Sequence, residues 1–219
     1  MNKRDFIKST LAATAGLALA ADNSPSLASV TPITSKQKTQ AAIAKRRRDK
    51  FLNLPLLTHE GKLVHFYDDL LKDKIVLINF TYVDCKGICP GMTENLKKVY
   101  KEFGDRMGKD VFMYSFSLVQ DSPEKLKDYR KMHHIKDGWT FLTGTKDDIE
   151  AIRIHLGFNS TDPKIDQDRS QHTGVVKFGI EALETWGMTP ALGDPKFIAE
   201  YVRWMEPNGA RPDAVALAG

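Results

Sequence analysis

Hydrophobic and polar positions change rhythm several times along this 219-residue chain, and each change marks an element. Residues 75–82, Ile-Val-Leu-Ile-Asn-Phe-Thr-Tyr, form an almost unbroken β-branched and aromatic run. Apolar residues on both alternating faces predict a strand covered on both sides, hence a central strand. Residues 111–119 predict a second one. Between them, Met92, Leu96, Val99, Tyr100 and Phe103 recur at helical spacing behind Pro90. Proline is favoured at a first helical position, where its missing N–H would have no partner, so Cys89 should sit at or just before a helix N-terminus. Two short apolar segments, 52–58 and 62–67, flank the turn residues 58–61 and read as a hairpin.

Further along, Asp121-Ser122-Pro123-Glu124 is a helix start signal, with the helix reaching about His134. Residues 140–142 predict a short strand, and residues 147–156 a helix that stops before Gly157. Residues 158–171 are polar and read as a loop. Segments 173–180 and 181–188 read as a second hairpin, and 196–205 as a last helix. This order predicts an α/β, thioredoxin-like fold: a central mixed sheet flanked by helices, with an N-terminal β-hairpin and a second hairpin insertion. Open α/β sheets place their sites at the carboxyl ends of the strands, and Cys85 and Cys89 fall on such a strand-to-helix junction.

The N-terminus breaks the pattern. Residues 1–8 carry Lys3, Arg4 and Lys8 against Asp5, and residues 9–21 are small and apolar, with Ala18-Leu19-Ala20 as a cleavage signature. Residues 1–21 thus read as an export signal, similar to a twin-arginine signal with lysine in place of the first arginine. The expected location is periplasmic or otherwise exported. Residues 22–50 hold few large apolar groups and read as a flexible basic linker. The domain is expected over 51–210, followed by a tail over 211–219.

Charge sharpens this reading. The formal net charge is +4, yet residues 51–219 hold 22 Lys and Arg against 25 Asp and Glu. The excess therefore sits in the signal and in Lys45-Arg46-Arg47-Arg48-Asp49-Lys50. An exported chain with a slightly acidic domain excludes nucleic acid as a partner. The basic run reads as a solvated arm, or as a patch that touches anionic lipid heads.

Cys85 and Cys89 are the only two cysteines. A bridge between them would close a loop of about five residues, contributing roughly 2 kcal/mol against about 4.7 for a hundred-residue loop. Chemistry explains the spacing better than stapling. The thiolate is the reactive and metal-binding form, and a helix N-terminus favours it. Thioredoxin-type oxidoreductases separate their cysteines by two residues; here Lys86, Gly87 and Ile88 make three. The wider loop gives two sulfurs room to clamp one ion, and soft thiolates with an imidazole suit Cu(I). An exported thiol–disulfide oxidoreductase with an unusual loop would show the same spacing, and then Cys85 and Cys89 would be its redox-active pair.

Of the six histidines, His59 and His65 belong to the first hairpin, and His133, His134 and His155 sit at helix ends, where a cation complements the dipole. His172 differs: it closes a long polar loop and begins a strand.

Cys85-Lys86-Gly87-Ile88-Cys89-Pro90 after residues 78–82 resembles the C-x-x-x-C-P signature of the SCO/SenC family. Residues 113–117 followed by Gln120-Asp121-Ser122-Pro123-Glu124 resemble that family's second strand and its turn. Residues 138–144 resemble its third strand, and Gln171-His172-Thr173-Gly174 matches the position of its metal-binding histidine. The resemblance covers about residues 54–207. It implies a thioredoxin fold that binds copper through Cys85, Cys89 and His172. It further implies work on the Cu(A) centre of cytochrome oxidase, as metallochaperone, as thiol reductant, or both. The implied partners are the copper-bearing oxidase subunit or another copper protein, and thiol–disulfide exchange partners. A copper or redox sensor acting through a bound partner is a third class.

Overall fold

A computed structural model describes residues 34–167 and 174–208. Seven strands form one mixed sheet: β1 (Pro55–Thr58), β2 (Leu63–His65), β3 (Ile75–Thr81), β4 (Val111–Ser117), β5 (Trp139–Thr143), β6 (Val175–Ile180) and β7 (Thr185–Pro190). Their spatial order is β2-β1-β5-β4-β3-β6-β7. β3 lies parallel to β4, and β4 to β5, while the β1–β2 hairpin and the β6–β7 hairpin add antiparallel margins. This is the thioredoxin-like arrangement expected from the sequence. The two continuous apolar runs became β3 and β4, and every residue of β3 except Ile75 is buried.

Among the described residues, six α-helices accompany the sheet: α1 (Ser35–Asp49), α2 (Ile88–Phe103), α3 (Pro123–Met132), α4 (Lys146–His155), α5 (Pro163–Gln167) and α6 (Pro195–Trp204). Side chains alternate across a strand, so the sheet carries two cores. One joins Leu77 and Met113 to Met92, Leu96 and Val99 of α2, Tyr129 of α3 and Ile198 of α6. The other joins Val76, Ile78 and Phe80 to Phe116, Ile149 and Ile152 of α4, and the turn over Phe66–Leu71. Odd-numbered residues of β3 therefore face α2. No helix among the described residues is long and apolar enough to cross a membrane.

Four segments differ from the sequence reading. Residues 35–49, expected to lie in a flexible linker, form α1, opened by a reciprocal cap between Thr34 and Gln37. No residue of α1 is buried, so hydrophobic periodicity could not reveal it.

Its basic end is not a free arm. Arg47 pairs with Glu181 and Asp73, Arg46 and Lys50 with Glu184, and Arg48 with Asp68. These carboxylates come from distant parts of the chain, which a local charge count cannot anticipate.

The polar loop after Gly157 contains the short α5, because buried Arg153 grips Asp166 while also donating to Phe158 O. The second hairpin turns later than expected. Glu181–Leu183 is a 3-10 turn, and Glu184 adopts φ +53 before β7 begins.

Candidate metal centre

β3 ends at Thr81, and the chain then turns over residues 82–87 into α2. The turn is held from below. Asp121 Oδ2 accepts from the Val83 N–H at 3.0 Å and from the Ser117 hydroxyl at 2.9 Å. Its Oδ1 meets Lys125 Nζ at 2.9 Å, and that lysine also reaches Asp84 at 2.6 Å. Asp121 is buried with both oxygens engaged. It is a strut for the cysteine loop, and it has no oxygen to spare as a ligand.

Cys85 N–H donates to Tyr82 O at 3.3 Å. Gly87 caps α2, whose first residue is Ile88, so Cys89 lies within the first turn and Pro90 follows it. The cap supplies no side-chain acceptor to that turn. Proline's tolerance of early helical positions explains why the helix begins here. Neither cysteine is in a disulfide. Cys85 is 6% exposed and Cys89 1%, whereas Lys86 and Gly87 between them are exposed. The sulfurs thus lie under a rim rather than on the surface, and Cβ placement at Gly87 would come within 3.9 Å of Cys85 Sγ.

His172 lies outside the described residues. Its neighbour Gly174 is described: it adopts φ +61, its carbonyl accepts from the Ala191 N–H at 2.8 Å, and a methyl there would stand 2.6 Å from Ile88 Cδ1. The start of β6 therefore abuts the residue preceding Cys89. Among the described residues, no group of three or more His, Cys, Asp and Glu converges as a metal site.

Four of the five other histidines have structural partners. His59 is buried against Arg130 at 2.5 Å, and burial, with the Arg130 charge, lowers its pKa. His65 approaches Asp69, His133 stacks on Tyr129 and meets Glu94, and His155 lies edge-on to Phe51.

Tyr129 was not visible in the sequence as a site residue. Its hydroxyl lies 2.8 Å from Thr93 Oγ1, both buried. Burial pushes its phenol up, against the lowering effect of the hydrogen bond with Thr93. Thr93 could have been found as the residue four after Cys89, hence on the same helix face. Tyr129, 36 residues further on, could not.

The SCO1/SenC family model matches residues 48–206. The chain belongs to the SCO1/SenC family. A SCO1 protein homolog of Bacillus subtilis is 29% identical over 98 residues, covering 43% of this chain and 50% of that protein. This SCO1/SenC chain thus spans about half the length of that relative. Among solved structures, Bradyrhizobium japonicum ScoI with copper bound aligns with TM-score 0.55 at 21% identity, covering 71% of this chain and 99% of that one. BsSco, described as a Sco-family cytochrome c oxidase assembly protein with a disulfide switch, aligns with TM-score 0.57 at 22% identity, covering 71% and 92%. At these identities the structural likeness carries the fold.

Proposed function

We propose that this SCO1/SenC chain is an exported copper metallochaperone that receives copper on Cys85, Cys89 and His172 and hands it to the Cu(A) centre of cytochrome oxidase. The observation that carries the reading is the placement of two unbridged, buried sulfurs at one strand-to-helix junction. The donor set fits the cargo: two soft sulfurs suit Cu(I), and the nearest buried carboxylate, Asp121, is already committed to Ser117, Val83 and Lys125. Gly174 against Ile88 supports His172 as third ligand, because two residues of chain reach at most about 7 Å. The copper-bound relative and the oxidase-assembly relative support the cargo and the recipient.

In this reading copper is cargo, transferred when a partner's ligands replace Cys85, Cys89 and His172 in turn. The chain's own residues hold the sulfurs side by side, and the rim of Lys86, Gly87 and Ile88 shields them from water. Residues 1–21 would direct export to the periplasm, and residues 51–210 would form the copper-binding domain.

Reduced protein titrated with Cu(I) against a chromophoric competitor should bind one copper per chain. Metal-site free energies of about 10–16 kcal/mol spread over three ligands come to about 3–5 kcal/mol each, which implies a loss of roughly three-hundredfold or more for Cys85→Ser, Cys89→Ser or His172→Ala. Unchanged affinity in Cys85→Ser would sink the proposal.

A thiol–disulfide exchanger is the second reading, favoured by the unbridged state of both cysteines. There Cys85 and Cys89 would be catalytic, and His172→Ala would leave exchange with target disulfides intact.

A further inference from the structure

The loop that carries Cys85 is fastened at two depths. At the deeper point, Asp121 Oδ2 accepts from the Val83 N–H at 3.0 Å, and the Asp121 side chain is 1% exposed. At the outer point, Asp84, the residue before Cys85, meets Lys125 Nζ at 2.6 Å with 77% of its side chain exposed. Lys125 joins the two points, because the same Nζ lies 2.9 Å from Asp121 Oδ1.

α3 sets where Lys125 stands. Its backbone N–H donates to the Ser122 hydroxyl that caps the helix, which places it in the first turn. A cation there opposes the helix dipole. The two carboxylates offset that cost and draw the side chain across the cysteine loop.

The two joints differ in strength. A buried, hydrogen-bonded carboxylate holds its partner, whereas an exposed ion pair is screened by water and salt and contributes little. The Asp84 joint is therefore the one that can release while Asp121 stays fixed. Access to the sulfurs requires a release, because Cys85 is 6% exposed and Cys89 1%.

We propose that Lys125 and Asp84 form a latch across the cysteine loop, and that its opening gives partners access to the sulfurs. Lys125 is a positioning residue: it acts on Cys85 through Asp84 and Asp121. The inference rests on the reading that Cys85 and Cys89 are the working groups of this chain. The closed latch keeps the sulfurs out of water. The open latch presents them for ligand exchange, with Asp121 still holding Val83 in place for reclosure.

The metal-free, reduced full chain is treated with iodoacetamide, an uncharged thiol reagent, and alkylation of each cysteine is followed by mass over a range of pH. The plateau at high pH, where the thiols are ionised, reads access to the sulfurs apart from their acidity. The strength of an exposed ion pair predicts a plateau rate about two- to fivefold higher in Asp84→Asn, and at least as high in Lys125→Met, which releases Asp121 as well. Salt near 1 M, where the screening length is about 3 Å, should speed the unsubstituted protein by a similar factor and leave Asp84→Asn little changed. A mere effect of charge on the thiols would move the two variants in opposite directions, since losing an anion beside Cys85 favours the thiolate and losing a cation disfavours it. Opposite shifts below the plateau with equal rates on it overturn the proposal, as does a wild-type plateau rate in Asp84→Asn. If Lys125→Met does not fold, Asp84→Asn, changed at an exposed side chain, decides alone together with the salt series. Failure of the unsubstituted protein to bind copper would overturn the chaperone reading and leave this metal-free rate standing.

Discussion

Arg47 donates through Nε and Nη2 to the two carboxylate oxygens of Glu181, 134 residues away along the chain, and the carboxylate side chain is fully buried. Tyr67 Oη at 2.9 Å and the Asp73 N–H at 2.8 Å complete its shell. The contact ties the end of α1 to the turn between β6 and β7. It lies at the opposite end of β3 from the dithiol, about 20 Å away along a seven-residue strand.

Removing the arginine strands a buried charge, which typically costs about 3–5 kcal/mol. Arg47→Met should lower the unfolding free energy by that amount in denaturant titration. Burial alone would raise the Glu181 pKa; the hydrogen bonds from Arg47, the Asp73 N–H and Tyr67 outweigh it and hold the carboxyl below its ordinary value. A lowered folded-state pKa contributes stability that is present above the unfolded pKa, near 4.3, and is lost as pH falls through the folded value. Glu181→Gln should therefore be less stable than the unsubstituted protein at pH 7, with the gap closing in acid. A gap independent of pH would show that the charge of Glu181 contributes nothing.

Gly174 can be tested through Ile88. Alanine there would meet both the left-handed backbone, φ +61, and the Ile88 Cδ1 at 2.6 Å. The backbone part costs about 1–2 kcal/mol. The steric part can be relieved by shortening Ile88. Gly174→Ala should lower the melting temperature, and Gly174→Ala with Ile88→Ala should be more stable than the two single effects added together, with a coupling of about 1 kcal/mol. Strict additivity would mean that residue 88 yields without cost.

Arg153 is 5% exposed and holds the loop after α4 through Phe158 O and both oxygens of Asp166, while Asp166 Oδ1 also accepts from the Ser160 N–H. Arg153→Met leaves these acceptors without their donor, a loss of about 3 kcal/mol. Limited proteolysis should then cut within residues 158–167 faster than in the unsubstituted protein. Equal cleavage rates would show that α5 holds itself in place.

The parts of the fold legible in the sequence were those fixed by near neighbours. Continuous apolar residues required β3 and β4 to be central, and Pro90 and Ser122-Pro123 marked the starts of α2 and α3. The cysteine pair was legible because its spacing is itself local. α1 was not, because it buries nothing, and its basic turn looked free because Asp68, Asp73, Glu181 and Glu184 lie elsewhere in the chain. Part of the site was hidden for the same reason. Thr93 shares a helix face with Cys89, but Tyr129 joins it only when α3 packs against α2.

By itself the sequence determined the α/β alternation, the strand-to-helix junction and the two sulfurs that stand on it, since periodicity and capping act over a few residues. Only the tertiary structure decided that those sulfurs are buried, that Asp121 is a strut with no free oxygen, and that the Thr93 and Tyr129 hydroxyls meet between α2 and α3. The reason is distance along the chain: contacts between residues tens of positions apart form when the two cores close over the sheet, and no local pattern encodes which groups then meet.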